Sequence, residues 1–400
     1  MLPRKGRKER LKEKGFFYWF SVVALIVIGV LVGHWLEKQD VATHLRYKIH
    51  QAVTLAYSAR QPYVTRTVVV LIGDDEFWKS DLAMRNPTKR DYLARVVSAL
   101  DKADASVIAL DFSLRSPLPD GSAVSYHDYD VETNLLFETI RDVAKRRPVI
   151  LPKTIRWVNG NYVPEADLYD GFDFQGGFVR SGYVFLPFDV RRVPLSLTLE
   201  DGTLTDSFAE AIVRSVKEEA LEPVAGLEEA PYGSYLTQEA FPKLTTSQVL
   251  SPSEETLKKL RDNIVIVGGG WSRLAYQRGP KIDTHLTPVG PLPGALVHAN
   301  FVEALLDRRT APAWSERALL VFEVVLALAV AIIFALIMRF WVKLLALVIL
   351  CLGLIAFSYL SWLNLGLFYD FFVPLLLVVG HATYEQARET LAHRRVAKMV

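Results

Sequence analysis

TVVVLIGDDEFW, residues 67–78, decides the fold. Its first seven residues form a short β-branched run closed by a glycine, the composition of a strand buried on both faces. Downstream, RDYLARVVSALDK (90–102) sets Tyr92, Leu93, Val96, Val97 and Leu100 on one helical stripe. SVIALDF (106–112) is a second buried strand, so the three segments make a βαβ unit, right-handed and with parallel strands. The alternation continues with a helix over 131–145, a strand in PVILPKT (148–154) and a helix over 208–216. NIVIV (263–267) is a strand followed by three glycines, and a final helix covers 294–306. SPLPD (116–120) reads as a loop, and 159–180, rich in Gly, Asp and aromatics, as a loop or edge hairpin. The expected fold class is an α/β domain with a mainly parallel sheet.

Outward from this domain the composition changes. Of 400 residues 51 % are hydrophobic, and the excess is concentrated in four runs. Residues 16–36 contain no acid or strong base, and at ~1.5 Å per residue such a helix crosses a ~30 Å hydrocarbon core. Comparable runs cover 318–337, 342–362 and 365–383. Seven bases between Arg4 and Lys14 precede the first run, and Arg388, Arg394, Arg395 and Lys398 follow the last, while Arg339 and Lys343 lie between the second and third. The excess of bases keeps both ends in the cytoplasm, and an even number of crossings agrees with it. The expected order is a basic N-terminus (1–15), one span (16–36), an exported domain (37–316), three spans and a short tail (384–400). A cleaved signal peptide competes for the first run, but the run is long and no small-residue cleavage spacing precedes Glu37. The single cysteine, Cys351, lies in the third run, which leaves the outer domain without disulfides. The basic N-terminus sets orientation here, and no nucleic-acid partner is expected.

Three carboxylates, Asp74 and Asp75 after the first strand and Asp111 at the end of the second, mark the carboxyl edge of the sheet. Ligands of open parallel sheets bind at that edge, and oxygen ligands there could hold a divalent cation, although no cofactor is expected. The competing role is helix capping or loop support. In IDTHLTPVGPLPGALVHAN (282–300), Asp283, His285 and Thr287 alternate and point to one side of an extended segment, with His298 following in a helix. They are ligand candidates, against a fold-stabilising cluster, and no helical His pair supports a metal. Gly268, Gly269 and Gly270 lack the pattern of a phosphate loop and are expected to serve close packing. No nucleophile elbow or Cys–His pair is present, so nothing specifies an enzyme. Glu323, inside the second span, demands a polar partner, for which Tyr359, Asn364 and Tyr369 are candidates.

With these residues in place, the outer region resembles the cyclase/histidine-kinase-associated sensory extracellular domain of type two. The likeness is carried by VVVLIGDDEFW, SALDKADASVIALDFSLRSP, SGYVFLPFD and DSFAEAIV, and most specifically by NIVIVGGG, THLTPVG and PGALVHANFVEALLDRR. The resemblance implies a bacterial input domain between one span and a three-helix membrane unit. About 16 residues follow Tyr384, so an output domain is not expected within this sequence. The expectation is a multi-pass inner-membrane sensor with a periplasmic domain and an unknown periplasmic ligand. It would form a homo-oligomer or signal through a separate cytoplasmic effector. The alternatives are a scaffolding subunit and a metal-dependent periplasmic enzyme.

Overall fold

A computed structural model describes residues 16–37, 39, 41, 44–45, 47–48, 64–79, 82, 84–85, 87–114, 128–217, 222–224, 226–273, 281–312, 315–337, 340–365 and 372–397. The basic N-terminus, the loop at 116–120, Arg339, Tyr369 and Lys398 lie outside them, as do the side chains of Tyr359 and Asn364. The chain forms two compact units, residues 47–310 and residues 1–46 with 311–400.

In chain order the helices are α1 (Phe16–Glu37), α2 (Asp74–Lys79), α3 (Arg90–Lys102), α4 (Tyr129–Ala144), α5 (Phe208–Lys217), α6 (Thr246–Leu250), α7 (Glu254–Leu260), α8 (Gly294–Leu306), α9 (Glu316–Leu336), α10 (Phe340–Leu365) and α11 (Phe372–Ala397). The strands are β1 (Thr67–Ile72), β2 (Val107–Asp111), β3 (Val149–Lys153), β4 (Ile155–Val158), β5 (Asn161–Pro164), β6 (Val179–Tyr183), β7 (Leu197–Thr198), β8 (Leu204–Thr205), β9 (Tyr232–Gly233), β10 (Lys243–Thr245), β11 (Ile264–Gly269), β12 (Thr284–Thr287) and β13 (Gly290–Pro293).

The centre of the larger unit is a six-stranded sheet in the order β10-β1-β11-β2-β3-β6, every pair parallel. Because side chains alternate across a strand, the buried runs feed two cores. Val68, Val70, Ile72, Ile108, Leu110, Val265 and Val267 face α3 and α4, meeting Tyr92, Leu93, Val96, Val97, Leu136, Phe137 and Ile140. Val69, Val107, Ala109, Ile264 and Ile266 face α5 and α8 through Phe208, Ile212, Ala295, Leu296, Ala299 and Val302. Strand β11, last of the six in sequence, inserts between β1 and β2. The chain leaves β1 toward the α3 face and reaches α8 on the opposite face after β11, and the carboxyl ends of such strands are where ligands of open α/β sheets bind.

Within residues 159–180 the structure places the second strand of the β4–β5 hairpin, which begins at Ile155, while β6 is the parallel edge strand just beyond. Helix α11 runs without a break from Phe372 to Ala397, through the end of the fourth apolar run and into the segment read as the tail. Extending an existing helix avoids the unfavourable nucleation that a short separate one would face.

Among the described residues of the smaller unit two helices are long and apolar enough to cross a bilayer, over Arg317–Leu336 and Trp341–Ser358, and Phe20–Leu36 is a shorter apolar stretch. Val22, Ile26 and Val30 of α1 pack with Ala327 and Ala331 of α9 and with Val373 and Leu377 of α11. Gly29 and Gly33 let α1 and α11 approach closely. A Cβ at Gly29 would stand 2.8 Å from Leu377 Cδ2, and one at Gly33 3.0 Å from Val373 Cγ1.

Close approach also governs the sheet. A Cβ on Gly268 of β11 would stand 2.6 Å from the Ala295 Cβ in α8. Gly268→Ala is therefore expected to cost about 1–3 kcal/mol in denaturant unfolding. Adding Ala295→Gly should recover more than additivity allows, and full additivity of the two would contradict this contact.

Candidate functional site

The alternation that builds the two cores also aims Asp111. It follows Leu110, which faces α3, and so turns toward α8, beside its registered neighbour Gly268. A Cβ on Gly268 would lie 3.5 Å from Asp111 Oδ2, an ordinary contact, so the glycine is required by Ala295 and not by the carboxyl group. On the facing helix His298 is buried, with its Nε2 4.0 Å from Asp111 Oδ1. Phe208 and Phe301 meet the imidazole edge-on, at ring separations of 5.1 and 6.1 Å. Asp111 Oδ2 and His298 Nδ1 have no hydrogen-bond partner among the described residues. Loss of hydration pushes the Asp111 carboxyl up to about 8, helped by the nearby Asp283 charge. The same loss brings His298 down to about 4, with Asp283 opposing and His285 assisting.

Asp283 stands above this pair at the start of α8. Its carbonyl accepts from the Gly294 N–H (2.9 Å), and a Cβ on Gly294 would collide with its carboxylate at 2.0 Å. The carboxylate thus sits at the positive end of the helix dipole. Its backbone is left-handed (φ 55°), a conformation Asp tolerates better than most residues. His285 Nε2 lies 2.8 Å from Asp283 Oδ1, so these two alternating residues share one side as expected. Thr287 has a different task. Its hydroxyl donates to Gly290 O (2.5 Å) and accepts from Val289 N–H (3.3 Å), closing the turn between β12 and β13.

The acids after β1 divide. Asp74 accepts from both Ser272 N–H (2.6 Å) and Ser272 Oγ (3.0 Å), fastening the turn after β1 to the segment after β11. Asp75 is exposed and pairs with Lys79 one turn on (3.1 Å). Of the three consecutive acids it is the third, Glu76, that is buried. It accepts from the Gly73 N–H (3.0 Å), half of a capping box, and from the Ser247 hydroxyl. Burial would raise its pKa, but the hydrogen bonds from Ser247 and Thr245 outweigh it and hold the carboxyl below its usual range. No group of three or more His, Cys, Asp or Glu among the described residues is arranged to hold a metal ion. The structure therefore gathers Asp111, Asp283, His285 and His298, and gives Asp74, Asp75 and Thr287 local partners. The glycines after β11 serve close packing. Gly269 lies against Trp271 and Gly270 against Leu71.

In the smaller unit, buried Glu323 meets His34 Nε2 at 3.3 Å, a partner that comes from α1. The candidates on the later spans lie outside the described side chains.

Glu76→Ala should cost about 1.5–3 kcal/mol at neutral pH, the worth of charge-assisted bonds. Because the folded pKa is depressed, that contribution is present above the unfolded value of about 4.5 and lost as pH falls through the folded one. Urea unfolding of wild type and variant at neutral and acid pH checks it, and a gap that stays constant with pH contradicts it.

A model of the CHASE2 domain matches residues 22–337, well over half of the chain. Searches of the curated proteins and of the solved structures return no match. CHASE2 domains are non-catalytic sensory modules, which suits an α/β domain joined to apolar helices. The chain belongs to the CHASE2 domain family.

Proposed function

We propose that this is a bacterial inner-membrane sensor that crosses the bilayer four times. Its large domain lies in the periplasm, both ends lie in the cytoplasm, and the crevice lined by Asp111, Asp283, His285 and His298 receives the signal. The observation that carries this reading is the buried Asp111–His298 pair, left without hydrogen bonds among the described residues at the edge of the sheet where ligands of such folds bind. Leaving two buried polar atoms unsatisfied costs about 1–3 kcal/mol each, a cost a purely structural site has no reason to keep. Helix α8 lines the crevice and is the last helix before α9. A signal that binds two packings of α8 unequally shifts their populations, and the chain carries that shift toward the membrane. Output passes to a separate effector or a neighbouring copy through the end of α11.

Orientation is tested by labelling intact cells. In a Cys351→Ala background, Lys258→Cys on the exposed face of α7 should react with a membrane-impermeant maleimide, and Arg394→Cys should react only after permeabilisation. The reverse pattern inverts the topology and removes the periplasmic receptor.

Sensing is tested at the other end of the molecule. With a photo-crosslinking residue at Leu391, Asp111→Ala and His285→Ala should change the adducts formed in cells, while Lys258→Ala leaves them as in wild type at equal membrane abundance. Identical adducts from all four chains exclude the crevice as input and leave a scaffolding subunit.

A further inference from the structure

Resting on the crevice reading above, we propose that the sensed ligand is the proton. Its occupancy of the Asp111–His298 pair sets how the hairpin β12–β13 seats on the first turn of α8. Geometry comes first. Two complementary groups face each other at 4.0 Å, beyond hydrogen-bond range, each with a buried polar atom left unmatched among the described residues. The pair is therefore held open, and each of its members faces the same Asp283 charge. β2 supplies Asp111, α8 supplies His298, the residue before β12 supplies Asp283 and β12 itself supplies His285. Phe208 of α5 is apolar, and Gly268 of β11 has no side chain. Among the described residues Asp283 and His285 are the only charged groups that act on the pair. No Lys or Arg among them compensates it, so a buried negative charge there has the Asp283 carboxylate as its neighbour. A proton, unlike a larger cation, reaches such a site without a cavity or three converging ligands.

The titration directions then define the working range. Between about 4 and about 8 the pair holds one proton and is neutral overall. Above that range Asp111 ionises beside Asp283, and the two carboxylates repel across the start of α8. Because the Asp111 folded pKa is raised, its stabilisation is complete below the unfolded value and disappears as pH rises through about 8. Because that of His298 is depressed, its stabilisation is present above the unfolded value and disappears as pH falls through about 4. Asp283, left-handed and joined through its backbone carbonyl to Gly294, is the point at which the hairpin yields.

Amide hydrogen exchange of the full-length chain in lipid nanodiscs, followed from about pH 6 to about pH 9 and corrected for intrinsic exchange, tests this. Protection over residues 284–297 should fall about tenfold or more with a midpoint near 8 in wild type, and stay high and flat in Asp111→Asn. Asp283→Asn, which keeps Asp111 and removes the neighbouring charge, should move the midpoint down, and it decides the matter if Asp111→Asn does not fold. A flat wild-type profile, or an unmoved midpoint in Asp283→Asn, overturns the proton as ligand. If the Leu391 adducts still respond to His285→Ala in that case, the crevice remains the input for another ligand. If they do not, both readings fall.

Discussion

The approach of α8 to the sheet at Gly268 is the constraint on which the larger unit depends. Only a residue without a side chain lets the Ala295 Cβ come so near the strand, directly beside Asp111 on β2. A larger residue on β11 would push α8 outward, separating His298 from Asp111 and Gly294 from Asp283. One backbone atom thus fixes both the depth of the second core and the geometry of the crevice. Interiors as dense as crystals do not deform gradually, so a change at this contact is passed on rather than absorbed.

What could be read from the chain follows from where the physical signal is local. β1, β2 and β11 are five- or six-residue strands rich in branched apolar residues and buried on both faces, bounded by polar or turn-forming residues. β10 (KLT) and β6 (VRSGY) sit at the two edges, are short and carry polar residues, so their pairing is set by neighbours that sequence does not name. The same division runs through the site. Asp283 and His285 are two apart, and their contact is local, made across the left-handed turn that leads into β12. Asp111 and His298 lie far apart in sequence and meet only because β11 inserts between β1 and β2 while α8 covers the opposite face from α3. Glu76, beside two more exposed acids, gives no sign in sequence that it is the one Ser247 will hold.

The membrane unit repeats the lesson. Hydropathy marks apolar runs but not which helices touch, and it gives no sign that Glu323 meets His34 on the first helix. Gly29 and Gly33, one turn apart, let α1 lie against Val373 and Leu377. Between helices in lipid there is little hydrophobic drive, so small residues and a polar pair with one buried member supply the specificity. Packing of this kind ties α1 into the bundle.

Tyr47 completes the argument about how the larger unit is held to its chain ends. Its hydroxyl donates to Asp189 Oδ1 and accepts from Val190 N–H, both at 3.1 Å, while Tyr235 donates to Val190 O (2.8 Å). Arg191, buried and paired with Asp189 at 2.6 Å, lies over the Tyr47 and Tyr232 rings. Tyr47 and Tyr235 belong to the same core as Leu292, Ala295 and Leu296, the residues that seat the hairpin and α8. The segment entering the unit and the helix that precedes its exit are therefore packed into one body on the crevice side of the sheet. A receptor with its input at the opposite core, around α3 and α4, would have to deform the sheet to reach either end. With its input at the first turn of α8, it needs only to repack a core that already contains both.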